Sequence, residues 1–189
     1  MSLPGREPQR YTYADYCAWD DDKRWELIDG MPYEMAVPLI NHQRIIGKLY
    51  RQIAIFLEDK PCEAFIAPVD VCLNAAGDDD DDVFQPDIMV VCDHGKITEK
   101  YINGAPDMVI EILSPSTAIR DRLMKFNKYQ RSGVREYWIV DPDYKTVQVH
   151  ILESGRYFTT SYGESSNVPV FVLEGCEISL PDVYKNLEK

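Results

Sequence analysis

Apolar positions along the chain follow two rhythms, a helical period and short unbroken runs, and their alternation defines the expected elements. From Asn41 to Glu58, apolar residues stand at 45, 46, 49, 50, 53, 56 and 57, one face of a helix with Asn41 as its N-cap. Three strand-like runs follow: "CEAFIAPVDVCL" from Cys62, "PDIMVVC" from Pro86 and "PDMVIEIL" from Pro106. Runs this apolar suit strands covered on both faces, and their succession suggests a meander. "STAIRDRLMKFNKYQRSG" returns to the helical period, with Ile119, Leu123 and Phe126 on one side and Gly133 as the stop. A strand, "REYWIVD", closes the unit.

Shorter signals flank this centre. "YTYADYCAW" reads as a short helix capped by Thr12, and Asp29-Gly30 in "RWELIDGMPYEM" marks a hairpin. Beyond Asp141, "TVQVHILESGRYFTTSY" turns at Ser154-Gly155, "VPVFVL" reads as another strand, and "EISLPDVYKNL" as a strand and terminal helix. At 189 residues the chain suits one domain, spanning 11–189 after a flexible tail at 1–10. The class is mixed α/β (α+β). A free edge at "VPVFVL" would pair with a second copy, so a homodimer is expected.

Composition narrows the function classes. A net charge of −12 argues against a general nucleic-acid coat, whose affinity comes from Lys and Arg. The charge is uneven, however. Asp20 to Asp22 and Asp78 to Asp82 form acidic segments, the second read as a solvated, disordered loop. Arg120, Arg122, Lys125, Lys128, Arg131 and Arg135 stand against Asp121 alone in 118–135, a stretch able to attract phosphate. Five cysteines without a C-x-x-C pair suggest reduced core residues rather than a disulfide framework or zinc site. With no long apolar segment and no signal-peptide pattern at the start, the expectation is a soluble, cytoplasmic protein that engages no membrane.

Candidate chemistry starts at Glu111, a carboxylate inside "MVIEIL". Burying it unpaired would cost several kcal/mol, so a cation, a basic residue or a dense set of hydrogen bonds is required. Asp87 opens the preceding strand, and the two carboxylates at one sheet end would suit a hard divalent cation, Mg²⁺ or Mn²⁺. Lys125 lies one helical turn beyond Asp121, where it can reach across to orient or deprotonate a water. Each residue has a structural alternative: Asp87 as a turn cap, Glu111 as half of an ion pair with Lys125 or an arginine, Lys125 as a solvated helix charge, His42 as a surface or capping residue, Glu26 as an exposed hairpin carboxylate.

The segments "WELIDG", "NHQRIIGKL", "QPDIMVV", "GAPDMVIEILSPST" and "GVREYWIVDP" resemble, in order, the recurrent segments of the PD-(D/E)XK nuclease superfamily and of its Uma-type restriction-endonuclease-like branch, over roughly residues 11–185. The resemblance implies a restriction-endonuclease-like mixed central sheet flanked by helices, with extra antiparallel strands at both ends. It implies a metal-dependent endonuclease hydrolysing DNA, with Asp87, Glu111 and the Ile112 carbonyl holding the metal. The superfamily's lysine two places after the glutamate is absent, since position 113 is Leu; the branch pattern D-x-x-x-K instead points to Lys125 from the following helix, with Lys128 as the fallback. Glu26, His42 and Asp121 match recurrent family positions as supporting residues, as do Ser114 and Tyr129 on the same rim. The alternative is a module that keeps the fold without catalysis and binds nucleic acid or a protein partner.

Overall fold

The computed structural model describes residues 9–114 and 120–187, with backbone alone at 120 and 121. The tail at 1–8, Ile119, and the side chains of Arg120 and Asp121 lie outside the described residues. In chain order the elements are α1 (Tyr13–Cys17), β1 (Trp25–Ile28), β2 (Met31–Glu34), α2 (Ile40–Leu57), β3 (Glu63–Ile66), β4 (Asp70–Cys72), β5 (Val83–Phe84), β6 (Ile88–Val91), β7 (Tyr101–Asn103) and β8 (Met108–Ile112). A π-helical turn, Arg120–Lys125, runs into α3 (Phe126–Ser132). Then come β9 (Glu136–Asp141), β10 (Thr146–Glu153), β11 (Arg156–Gly163), β12 (Asn167–Pro169), β13 (Glu177–Ser179) and α4 (Leu180–Tyr184).

The six-stranded sheet has the order β11-β10-β9-β8-β6-β3. Within it β3, β6 and β8 are antiparallel neighbours, but they form no simple meander, because their connections pass through β4, β5 and β7 of another sheet; β8 and β9 are parallel because a helix connects them. A five-stranded sheet, β2-β1-β5-β4-β7, and the small pair β12-β13 complete the fold. One face of the large sheet packs Ile88, Val90, Met108, Ile110, Trp138 and Val140 against Ile45, Ile46, Leu49, Ile53 and Leu57 of α2 and the C-terminal residues Val168, Ile178 and Val183. The other face packs Met89, Val91, Val109, Tyr137 and Ile139 against Tyr129 of α3 and Ile28, Val71, Phe84 and Ile102 of the smaller sheet. Strands covered on both faces account for the near-continuous apolar runs.

Local signals hold where turn chemistry decides them. Thr12 and Asp15 form a reciprocal capping box on α1, and Asp29-Gly30 and Ser154-Gly155 take the positive φ values that a tight hairpin needs. Gly133, with φ 87°, ends α3.

Five expectations are corrected by longer-range structure. "CEAFIAPVDVCL" is two strands in different sheets, β3 and β4, split where Pro68 offers no amide donor. Helix α2 begins at Ile40, so Asn41 lies inside it and accepts a hydrogen bond from Arg44 at 3.0 Å. Leu123 is 60% exposed, because the π turn shifts the phase of the helix and turns Lys125 and Tyr129 inward instead. "VPVFVL" forms no strand of its own length: it contributes only the end of the short β12, which pairs on one side with β13, and it buries Val168 and Val170. Cys62 and Cys92 form a disulfide with Cα atoms 4.0 Å apart, since the Glu63↔Val91 register sets them opposite one another; Cys17, Cys72 and Cys176 are free. Among the described residues no helix is long and apolar enough to cross a membrane.

The aspartate run is likewise no disordered loop. Asp80 and Asp82 are buried. Asp80 accepts hydrogen bonds from the Asn74, Ala76 and Asp82 amides, and Asp82 accepts from the Asp29 amide at 2.8 Å and from Lys128 Nζ at 2.7 Å. Asp82→Ala therefore strips the half-buried Lys128 ammonium of one of its two carboxylates and a turn amide of its acceptor, and is expected to cost about 2–3 kcal/mol in urea unfolding, against less than about 0.5 kcal/mol for exposed Asp79→Ala. Equal midpoints for the two variants would contradict this assignment.

His150 supplies a pH dependence. Burial, reinforced by Arg122, lowers its pKa from 6.5 to about 4. The unfolded chain then binds a proton that the folded chain refuses, so stability is full above pH 6.5 and declines as pH falls toward 4. Urea midpoints measured between pH 7 and pH 5 should fall less for His150→Asn than for the wild type.

Candidate functional site

The register of the large sheet builds the site. Ile88 pairs with Ile110 and Met89 with Val109, so Asp87, immediately before β6, reaches the end of the sheet where β8 carries Glu111 and Ile112. Glu111 points, by strand alternation, to the face opposite Ile110, toward Tyr129 of α3. Asp87 Oδ2 accepts the Ile112 amide at 2.8 Å, which fixes the carboxylate at the sheet end. His42, near the start of α2, brings Nε2 to 3.2 Å from the same oxygen and 3.1 Å from the Ile112 carbonyl. The Asp87 carboxylate and the Ile112 carbonyl are thus gathered around one imidazole nitrogen.

Glu111 meets a lysine. Lys125 Nζ lies 2.8 Å from Glu111 Oε1 and 2.8 Å from Glu26 Oε1, and the three side chains are 3%, 4% and 1% exposed respectively. Tyr129, one helical turn beyond Lys125, donates its hydroxyl to Glu111 at 3.0 Å. Burial, together with Glu111 and Glu26, raises the Tyr129 pKa well above its ordinary value, so this phenol remains a donor. The Gln85 amide donates to Glu26 Oε1 at 3.2 Å. Glu26 is therefore a buried member of the group and no exposed hairpin carboxylate.

Asp87, Glu111, Ile112, Lys125, Glu26, His42 and Ser114 all line one open cavity of about 350 Å³, walled on its outer side by Met35 to Leu39 and Ile66. Lys128 does not join it, being paired with Asp29 and Asp82 at 2.7 Å. Asp121 falls on an undescribed side chain. The basic stretch is largely consumed by partners: Arg122 pairs with Asp141 and Arg135 with Asp107. The sequence reading passed over Arg24 and Gln85, although Arg24 precedes Glu26 by two places on extended backbone and Gln85 directly precedes Pro86-Asp87.

Among the described residues no three His, Cys, Asp or Glu side chains are arranged to hold a metal. The donors at hand are two carboxylates and a carbonyl, all hard oxygens. That set fits magnesium or manganese completed by waters, and fits neither a zinc site nor an all-protein calcium cage.

A mixed sheet covered on both faces, with an acidic pair and a buried lysine at the end of its central strands, defines a restriction-endonuclease-like nuclease fold. A solved structure from Anabaena variabilis, described as a putative nuclease belonging to DUF820, shares this fold with a TM-score of 0.74 at 22% identity, over 92% of this chain and 97% of its own. The chain belongs to the Uma2 family, described as putative restriction endonucleases, whose model matches residues 12–181. Two uncharacterised Synechocystis proteins are similar to it: sll1609, 26% identical over 69% of this chain and 74% of its own length, and slr1290, 25% identical over 92% and 90%.

The buried triad sets a stability expectation. Lys125→Met leaves two carboxylates facing one another without their shared cation, at a cost of about 3–5 kcal/mol, and adding Glu111→Gln recovers part of that loss. Tyr129→Phe removes a single hydrogen bond and costs about 1–2 kcal/mol. Chemical denaturation of the four proteins checks the order; a Lys125→Met variant as stable as wild type would show that the triad is not an ionic cluster.

Proposed function

We propose that this protein is a cation-dependent endonuclease that hydrolyses phosphodiester bonds of DNA. The observation that carries the reading is that Asp87, bound to the Ile112 amide next to Glu111, and Glu111, held by Lys125, line one open cavity at the end of the sheet. Family membership supports a nuclease; the donor set supports the cation.

In this reading Asp87, Glu111 and the Ile112 carbonyl hold Mg²⁺ or Mn²⁺. When bound, the cation polarises the phosphate and neutralises the charge that develops on it. His42 fixes the orientation of Asp87 and of the Ile112 carbonyl, so the oxygens are arranged before substrate arrives. Lys125, an ammonium already donating to Glu111 and Glu26, acts as a hydrogen-bond donor that orients the attacking water. Glu26 holds that ammonium from its other side, and Tyr129 fixes Glu111. In this reading Lys125 takes the place of the superfamily's lysine two residues after the glutamate, where this chain has Leu113.

Plasmid nicking tests the reading. Wild-type protein is expected to nick supercoiled DNA with Mg²⁺ or Mn²⁺ and not with EDTA, and Asp87→Asn to lose at least about a hundredfold of that rate while remaining folded. The cation should also raise the melting temperature of wild type and not that of Asp87→Asn. A wild-type chain that neither shifts nor nicks with either metal would favour the non-catalytic module.

A further inference from the structure

The cavity presents a problem of charge. Glu26, Asp87 and Glu111 line it, and of the cationic side chains on its wall Lys125 is already shared between two of those carboxylates. A divalent cation and Lys125 together only balance the three carboxylates, so a phosphate entering the site meets no net positive charge unless another cationic group receives it. Nearby cations are committed elsewhere: Lys128 to Asp29 and Asp82, Arg122 to Asp141, Arg135 to Asp107.

Arg24 is different. It lines the same cavity, two residues before Glu26, and takes part in none of the ion pairs among the described residues. Its guanidinium is nonetheless fixed. Nε and Nη2 donate to Gln85 Oε1 at 2.9 and 2.6 Å. Gln85 is itself buried and oriented from behind, its amide nitrogen donating to Asp70 Oδ1 at 2.7 Å and to the Tyr16 hydroxyl at 3.2 Å. Only two of the five guanidinium donors are used, leaving donors for a ligand. A carboxylate at position 85 would hold the fork equally well and cancel its charge; the neutral amide holds it and leaves the charge in place. The chain Asp70–Gln85–Arg24 mounts, on the wall of an acidic pocket, a guanidinium that feels Asp70 only through the intervening amide and makes no direct ion pair among the described residues.

We infer that Arg24 is the phosphate-binding residue of this site: its mounted guanidinium receives the non-bridging oxygens of a nucleic-acid phosphate and holds that phosphate against the repulsion of Glu26, Asp87 and Glu111. Gln85 is its positioning residue. The inference rests on the nuclease reading for the identity of the ligand, but it concerns binding and is testable without cleavage.

The experiment is fluorescence anisotropy with a short fluorescein-labelled DNA in Ca²⁺, which occupies oxygen sites while commonly failing to support Mg²⁺-type hydrolysis, on wild type, Arg24→Gln and Arg24→Lys, with thermal melts to confirm that each is folded. Arg24→Gln keeps a hydrogen-bonding partner for Gln85 and removes the charge. It is expected to weaken binding about ten- to a hundredfold and to reduce the slope of log affinity against log salt by about one. Arg24→Lys should recover the salt slope but only part of the affinity, because a point charge lacks the planar fork. Wild-type affinity and wild-type slope in folded Arg24→Gln would overturn the inference even if the protein nicks DNA. Arg24-dependent binding by a chain that never nicks would uphold it while removing the nuclease reading. A wild-type chain with no measurable affinity for the DNA would overturn it outright.

Discussion

The ion cluster of Lys125 with Glu26 and Glu111 is the constraint around which the rest of the molecule is arranged. Glu111 comes from the centre of the large sheet, Glu26 from the smaller sheet and Lys125 from the helix that crosses between β8 and β9. Because all three are buried, none can be relieved by water, and each element must hold its position for the others to be satisfied. The Gln85 amide donates to Glu26 and the Tyr129 hydroxyl to Glu111, so the cluster is embedded in further hydrogen bonds. Replacing a buried ion pair by apolar side chains of similar volume is often neutral for stability, so burial of charge is by itself weak evidence of a stabilising role. That this cluster also opens onto a cavity supports the proposed role in chemistry.

The same principle governs the distribution of charge. The acidic excess invites a picture of repelling loops, yet Asp82 is the acceptor that closes the Asp29-Gly30 hairpin and anchors Lys128, so part of that excess is internal scaffolding. Burial with several amide donors is compatible with an aspartate where a solvated loop would not need one. Among the described side chains of 118–135, Arg122, Lys125, Lys128 and Arg135 are likewise paired with carboxylates. The proposed anion contact therefore falls to Arg24, held by Gln85, rather than to a broad basic face.

The two glutamates illustrate how far local pattern reaches. Glu111 stood out because a charge within an apolar run violates the expectation for a doubly covered strand, and the structure resolves that violation with a lysine. Glu26 gave no such signal: in "RWELIDG" a carboxylate alternates with apolar residues as any half-exposed strand would allow, and only the docking of the small sheet against α3 buries it. Leu123 failed in the opposite sense. Its helical spacing was correct for an α-helix, and a π turn moved it to the surface.

The sequence by itself determined the elements whose causes lie within a few residues: the Thr12 capping box, the two hairpins with their left-handed turn residues, the helical face of α2, and the doubly buried strands that carry Asp87 and Glu111. Those features depend on backbone sterics and on hydrophobic period, which a linear chain displays. Only the tertiary structure decided that Cys62 faces Cys92, that Lys125 is shared by glutamates from two sheets, that Asp82 anchors Lys128, and that Gln85 aims Arg24. Each of these is a choice of partner across a large separation in the chain, fixed by strand register and by the burial of charge, and neither is written in the order of neighbouring residues.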